Sequence, residues 1–189
     1  MKRRLAIISF FLLLLAGIAF SVWRAEWREK RFSPQIRAAA DRYHVDFLLL
    51  QAVIWRESGF DPTVRGRKGE IGLMQLQEVA AQEWADEERI TTFQHEQCSD
   101  PGTNTLAGAF YLSKLLKRYG KTDNPVPYAL ADYNAGRGNV LKWTGGAAAT
   151  NSEIFIRQIG FPGTQHYVET VMRRRNFYKL LSRFGLNQL

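Results

Sequence analysis

Apolar and polar positions divide the chain near residue 23. Residues 5–23, LAIISFFLLLLAGIAFSVW, carry 16 apolar residues among 19 and no charge, and beyond them the apolar positions become periodic. At about 1.5 Å per residue such a run approaches the roughly 30 Å thickness of bilayer hydrocarbon. Lys2, Arg3 and Arg4 precede it. The run therefore reads as an uncleaved anchor, with Trp23 and Trp27 at the far interface, or as a secretory signal cleaved at Gly17-Ile18-Ala19. A buried core helix is a third reading. Ile18 follows Leu15-Ala16-Gly17 where a lipidated cysteine would stand, so lipid anchoring is not expected. Arg24, Arg28, Lys30 and Arg31 lie beyond the run, so basic residues on both flanks leave its orientation undecided.

After residue 23 the pattern is helical throughout. Ser33-Pro34 has the form of a helix start, an N-cap with proline at the first helical position, for a helix to about Tyr43. Asp46 caps a strongly apolar helix ending before Gly59. Residues 60–71 read as a charged, Gly-rich loop, 74–88 as a helix and 89–100 as a second loop. Asp100-Pro101 opens a long helix to about Tyr119, with Leu112, Leu115 and Leu116 on one stripe. Pro125 or Pro127 starts a short helix through Tyr133, broken by Gly136 and Gly138; Val140 to Trp143 form another turn. Ser152 caps residues 153–159, and a last helix spans about 164–184. No segment alternates long enough to predict a strand. The expected organisation is a transmembrane or signal segment 1–23, a linker 24–33, an all-α domain 34–184 and a tail 185–189.

Composition adds limits. The chain has 189 residues, 46% of them apolar, with a formal net charge of +8. Three of its 26 Lys and Arg precede the apolar run, which leaves 23 against 18 Asp and Glu in the soluble part. That is an ordinary, mildly basic single domain, not a disordered chain or a disulfide scaffold. Cys98 has no partner in the chain and reads as a small apolar residue. Arg173, Arg174, Arg175, Lys179 and Arg183 form the densest basic patch. No nucleic-acid motif accompanies it, so a solvated face, or a mild attraction to anionic lipid or wall polymer, is expected instead of nucleic acid. His44, His95 and His166 lack metal-ligand spacing, so neither metal nor cofactor is expected.

The second helix holds the candidate chemistry. Leu50, Val53 and Ile54 define its apolar stripe, and Glu57 falls on that stripe at i+7, i+4 and i+3. Desolvation there favours the protonated carboxyl, and the last helical turn disfavours an anion. Both raise the pKa toward that of an acid catalyst near neutrality. A structural Glu paired with Arg42 or Arg56 is the competing reading.

Four blocks lie in order along the chain: ESGF (57–60), GLMQL (72–76), ALADYNAG (129–136) and YVETV (167–171). Together they resemble the lytic transglycosylases of the soluble SLT type, over about residues 34–180. The resemblance implies a lysozyme-like helical domain that acts on peptidoglycan without a cofactor. It cleaves the β-1,4 bond between N-acetylmuramic acid and N-acetylglucosamine and leaves a 1,6-anhydro ring. Carried over, Glu57 is the general acid and then the general base. Gln75, Tyr133 and Asn134 are expected to bind the glycan, as are Ser58, Met74 as an apolar wall, and Tyr167. Gly72 is expected to let backbone approach the sugar. Two positions depart from the pattern: Gly66 stands where the loop often has serine, and Gly163-Thr164 replaces a Glu-Thr pair.

Other readings stay open. A lysozyme-type muramidase on the same fold needs a second carboxylate to hold water, and a glycan-binding module of an envelope or secretion assembly needs no activity at all. The apolar segment and the implied substrate place the domain on the outer side of the inner membrane, in the periplasm, or outside the cell after cleavage.

Overall fold

The computed structural model describes the backbone of residues 2–185, and the side chains of these except residues 2–9, 22, 25 and 26. Its elements are α1 (Lys2–Tyr43), α2 (Phe47–Ser58), α3 (Glu78–Glu87), α4 (Pro101–Arg118), α5 (Pro125–Ala135), α6 (Arg137–Trp143), α7 (Ser152–Gln158) and α8 (Pro162–Arg183). Two 3₁₀ turns, His95–Ser99 and Gly146–Ala149, join them. No strand occurs among the described residues. Isolated bridges pair Arg65 with Ile71 and Ile71 with Leu76.

Helix α4 is the centre of the domain, packed against α1, α3 and α5, while α2 and α5 both pack on α8. Local chemistry explains the boundaries. Asp46 caps α2 by accepting from the Leu49 N–H at 2.7 Å, and Gly59 closes the helix at φ +57°. Asp100 likewise accepts from Thr103 N–H, with Pro101 in the first turn of α4. Leu50, Val53 and Ile54 are fully buried, as their spacing predicts. Each contributes about 1.5–3 kcal/mol by leaving water.

Three expectations need correction. Ser33-Pro34 does not start a helix: α1 continues through Pro34, and the expected linker 24–33 is helical. A mid-helix proline loses one hydrogen bond, but Phe32, Ser33 and Ile36 are buried around it. Packing on the domain holds the helix through the site that local propensity would break. Residues 74–77 are not helical, for reasons given below. Asn151, not Ser152, caps α7; Ser152 instead donates to Asp123 through its N–H (2.9 Å) and hydroxyl (3.1 Å).

The first half of α1 is unlike the rest. Phe10, Leu13, Phe20 and Trp23 are all more than half exposed. Among the described residues no helix is long and apolar enough to cross a membrane. Part of the apolar run read in the sequence, residues 5–9 and 22, lies outside the described side chains, as do Lys2, Arg3, Arg4 and the last tail residues 186–189. The second half of α1 is docked firmly. Glu29 accepts from Gln51 Nε2 at 2.9 Å in a buried bond and pairs with Arg174 at 3.6 Å, while Arg28 pairs with Asp61 at 3.0 Å. The expected basic face of α8 is therefore partly structural. The Arg174 guanidinium lies over the Trp55 and Tyr178 rings, and Arg175 binds Asp46 at 3.1 Å.

Candidate active site

A cleft of about 600 Å³ opens beside the C-terminal end of α2. Glu57, Gln75, Tyr133 and Asn134 line it together, bringing three of the four sequence blocks to one place. The fourth arrives through Tyr167, whose hydroxyl donates to Glu57 Oε1 at 2.6 Å. Burial pushes the Glu57 carboxyl up to about 7. Glu70 pushes in the same direction, against the Tyr167 hydrogen bond and the charge of Arg56. The competing structural role for Glu57 is not realised. Arg42 binds Glu88 at 2.5 Å, and Glu57 has no ion pair among the described residues. Such a group holds its proton near neutrality and can give it to a ligand in the cleft.

The GLMQL block is a loop because its polar atoms are answered from α4. Asn104, fully buried on that helix, accepts from Met74 N–H and donates Nδ2 to the carbonyls of Ile71 and Cys98, all at 2.8 Å. The backbone from Ile71 to Leu76 thus turns instead of coiling, with Gly72 at φ +77° and Gln75 at φ +46°. A Cβ on Gly72 would lie 2.5 Å from Asn104 Nδ2 and 2.7 Å from the Cys98 carbonyl oxygen. The sequence suggested that Gly72 brings backbone close to a sugar; it instead makes room for this anchor. Met74 is also corrected. Its side chain is fully buried against Gly108 of α4 and forms no wall of the cleft.

The remaining residues divide by what their polar atoms already do. The Ser58 hydroxyl lies 2.8 Å from the Leu73 carbonyl oxygen and 3.2 Å from that of Ile54, tying α2 to the loop without lining the cleft. Gln75 Nε2 donates to the carbonyls of Val64 and Gly72 at 2.9 Å, which leaves Oε1 for a ligand. Tyr133 gives its hydroxyl to the Met74 carbonyl at 2.7 Å, so what it offers the cleft is its ring. Asn134 is exposed; its Oδ1 accepts from buried Thr164 at 2.8 Å, leaving Nδ2 available. Of the two departures, Gly163-Thr164 therefore keeps a residue that orients Asn134. Gly66 is filled by the Glu70 carboxyl, which a Cβ would strike.

Asn104 and the cleft residue Glu83 are missing from the sequence reading, while Arg67, Lys68 and Glu70 enter it only as loop charge and Asp132 only as part of its block. An amide three and four residues before Ala107 and Gly108, on the small-residue face of an amphipathic helix, was the one available signal for Asn104. Cys98 is buried, its thiol pushed up to about 12. No group of three or more His, Cys, Asp and Glu converges among the described residues, and His95 spends Nε2 on the Leu76 carbonyl at 2.9 Å.

Comparison with known proteins gives this cleft a family. The model of the Transglycosylase SLT domain matches residues 34–156. The chain belongs to the SLT transglycosylase family. Its SLT domain is 41% identical over 116 residues to a protein of Desulfosudis oleivorans named membrane-bound lytic murein transglycosylase F, covering 60% of this chain and 24% of that one. It is 29% identical over 170 residues to the soluble lytic murein transglycosylase of Escherichia coli K12, covering 87% of this chain and 26% of that protein. The fold superposes on the 70-kDa soluble lytic transglycosylase of Escherichia coli with a TM-score of 0.70 and 26% identity, over 79% of this chain and 24% of that one. An inactive glutamate-to-glutamine mutant of the lytic transglycosylase Slt from Pseudomonas aeruginosa gives 0.70 at 25% identity, over 82% and 24%. The chain thus spans about a quarter of the length of these relatives.

Proposed function

We propose that the SLT domain is a peptidoglycan lytic transglycosylase with Glu57 as its only catalytic carboxyl. The observation that carries this is the state of the cleft's acids. Burial holds the Glu57 carboxyl up at about 7, where it can give a proton near neutrality, and each of the others is engaged. Asp132 accepts from Arg118 at 2.6 Å and the Tyr119 hydroxyl at 2.7 Å, Glu83 pairs with Lys114, and Glu70 accepts from the Lys68 N–H at 2.8 Å. Among the cleft carboxylates Glu57 alone combines burial with a raised pKa and no ion pair among the described residues, which favours a one-carboxyl reaction over the muramidase reading.

Glu57 gives its proton to the glycosidic oxygen as the C1–O bond breaks. The C6 hydroxyl oxygen of the same muramic residue then bonds to C1, and its proton returns to the Glu57 carboxylate. No water is consumed, and the acid is regenerated. An internal nucleophile already held near C1 needs no activation from a second side chain. Gln75 Oε1 and Asn134 Nδ2 hold sugar hydroxyl and N-acetyl groups, and Tyr133 packs against a ring. Tyr167 positions the acid. The lytic murein transglycosylases among the relatives, and the inactivating glutamate-to-glutamine change in one of them, support this assignment. Mass spectrometry of digested peptidoglycan tests it. Muropeptides ending in 1,6-anhydromuramic acid, lighter by one water than the hydrolytic product, are expected; exclusively reducing ends would establish hydrolysis. An intact polymer that merely retains the protein would favour the glycan-binding reading.

Tyr167→Phe separates positioning from acidity. The lost hydrogen bond favoured the carboxylate, so the Glu57 pKa rises further. The alkaline fall of kcat/KM then begins at higher pH, while kcat drops roughly tenfold because the carboxyl is less well held. An unmoved limb in the pH profile would show that the hydroxyl does not act on Glu57.

The same reading puts the protein in the cell envelope, facing its substrate. The apolar run, and large apolar side chains exposed along the first half of α1, support an inner-membrane anchor, and the proposed substrate puts the domain on its periplasmic side. Retention in the membrane fraction after alkaline carbonate washing, with residues 1–23 still present by N-terminal sequencing, is the expected result. Service to an envelope or secretion complex is compatible with this placement.

A further inference from the structure

One rim of the cleft is a tight turn that carries its charges outward. Gly69 N–H bonds to the Gly66 carbonyl at 3.3 Å and Gly66 N–H to the Glu70 carbonyl at 2.8 Å, with Gly69 at φ +84°. The bridge between Arg65 and Ile71 closes its base. Arg67 and Lys68 are the two central residues of this turn, and both line the cleft with exposed side chains. The turn is braced from within. The Glu70 carboxyl folds against Gly66, accepts from the Lys68 N–H and meets Gln77 Nε2 at 3.4 Å. Arg65 is tied to Glu96 and Ser99, away from the tip.

The charge balance of the cleft is therefore uneven. Each of its acids has a partner, Glu57 in Tyr167 and the others as described above, whereas Arg67 makes no hydrogen bond or ion pair among the described residues. Lys68 has Glu70 nearby. A guanidinium and an ammonium held on a rigid turn, with nothing among the described residues to answer Arg67, suit an anionic group of the ligand. In a strand that keeps its peptides the glycan itself offers none, because its hydroxyls and N-acetyl groups are neutral and each lactyl carboxyl is held in an amide. The peptide carried by the lactyl group of the muramic residue offers several free carboxylates.

We infer that Arg67 and Lys68 form a binding site for a carboxylate of the peptide stem, so that the enzyme selects peptide-bearing strands over bare glycan. The inference rests on the transglycosylase reading above. With the stem held at this rim, the muramic residue that bears it is placed over Glu57 in register. Binding, more than the chemical step, is what the two cations supply.

The test compares two substrates, intact peptidoglycan strands and the same strands stripped of peptide by an amidase and then amidated at the lactyl carboxyls so exposed, which leaves them without an anion. Wild type is expected to prefer the first. Arg67→Ala/Lys68→Ala lowers kcat/KM on peptide-bearing strands about 5–20-fold, mostly through KM, and leaves bare strands cleaved at the wild-type rate. Arg67→Glu gives a larger loss, and both losses shrink in about 0.5 M salt as screening removes the attraction. Both positions are exposed on a turn, and unchanged thermal melting of the variants confirms that the fold is kept. Equal losses on the two substrates, or no loss on either, would overturn the stem site while an active wild type keeps the transglycosylase reading. A wild type that cleaves neither substrate would remove that reading and the stem site with it.

Discussion

Glu57→Gln is expected to abolish peptidoglycan cleavage, by at least about a thousandfold, and to make the protein more stable at pH 8. The two effects share one cause. Folded, Glu57 keeps its proton to about pH 7; unfolded, it releases it near 4.5. Between those values the folded chain binds more protons than the unfolded one, so wild-type stability falls as pH rises. Glutamine never ionises and escapes that fall. It can still accept the Tyr167 hydrogen bond through its amide oxygen, so packing is kept. The gain above pH 7 is about 1–2 kcal/mol, reduced from the full shift because water reaches the carboxyl. It would appear as a rise of roughly 3–6 °C in melting temperature at pH 8 and none at pH 4. Cleavage by the variant at more than about one per cent of the wild-type rate would deny Glu57 the role of acid. A stability difference independent of pH would deny its burial.

Asn104→Ala is expected to have the largest effect on the fold. The side chain satisfies one buried N–H and two buried carbonyls; on its removal the Ile71 carbonyl keeps the Leu76 N–H at 3.1 Å, but the Met74 N–H and the Cys98 carbonyl lose their protein partner. Each costs about 1–3 kcal/mol, part of which a water entering the vacated space recovers. A loss of about 3–5 kcal/mol in urea unfolding is expected, together with faster amide exchange at Met74. Activity would fall with it even in the folded fraction, because Gln75 and the carbonyl that receives Tyr133 belong to the same loop. Asn104→Asp offers a control that keeps the acceptor for Met74 N–H but cannot donate to the carbonyls. A cost below about 1 kcal/mol for the alanine variant would show that the loop holds its shape without α4.

These two residues also mark what the sequence reveals and what it hides. Glu57 was legible because a carboxylate on an apolar helical stripe is locally anomalous, and its block recurs in order with three others. Helices α2 and α4 were legible from Asp46, Gly59, Asp100 and Pro101, whose capping acts within a few residues. Asn104 was not, since its partners lie 6 to 33 residues away and nothing local requires it. The same holds for residues 74–77. Their composition suits a helix, but Asn104 and the positive φ of Gly72 and Gln75 impose a turn. Met74 was misplaced because a motif gives neighbours in sequence and not the side on which each side chain lies. Pro34 shows the reverse error: a strong local stop signal lost to burial of Phe32, Ser33 and Ile36.

The unbroken course of α1 has a mechanical result. Ten flexible residues between an anchor and a domain would give slack, up to about 33–36 Å at full stretch. The same ten residues as helix measure about 15 Å and do not fold back on themselves. With Glu29 locked to Gln51 and Arg174, the stalk and the cleft move as one piece. Under the anchor and activity proposed above, an enzyme mounted this way would not browse the wall at varying depth. It would work at one height, on whichever strands cross that height, and reach new ones only by sliding along the membrane plane.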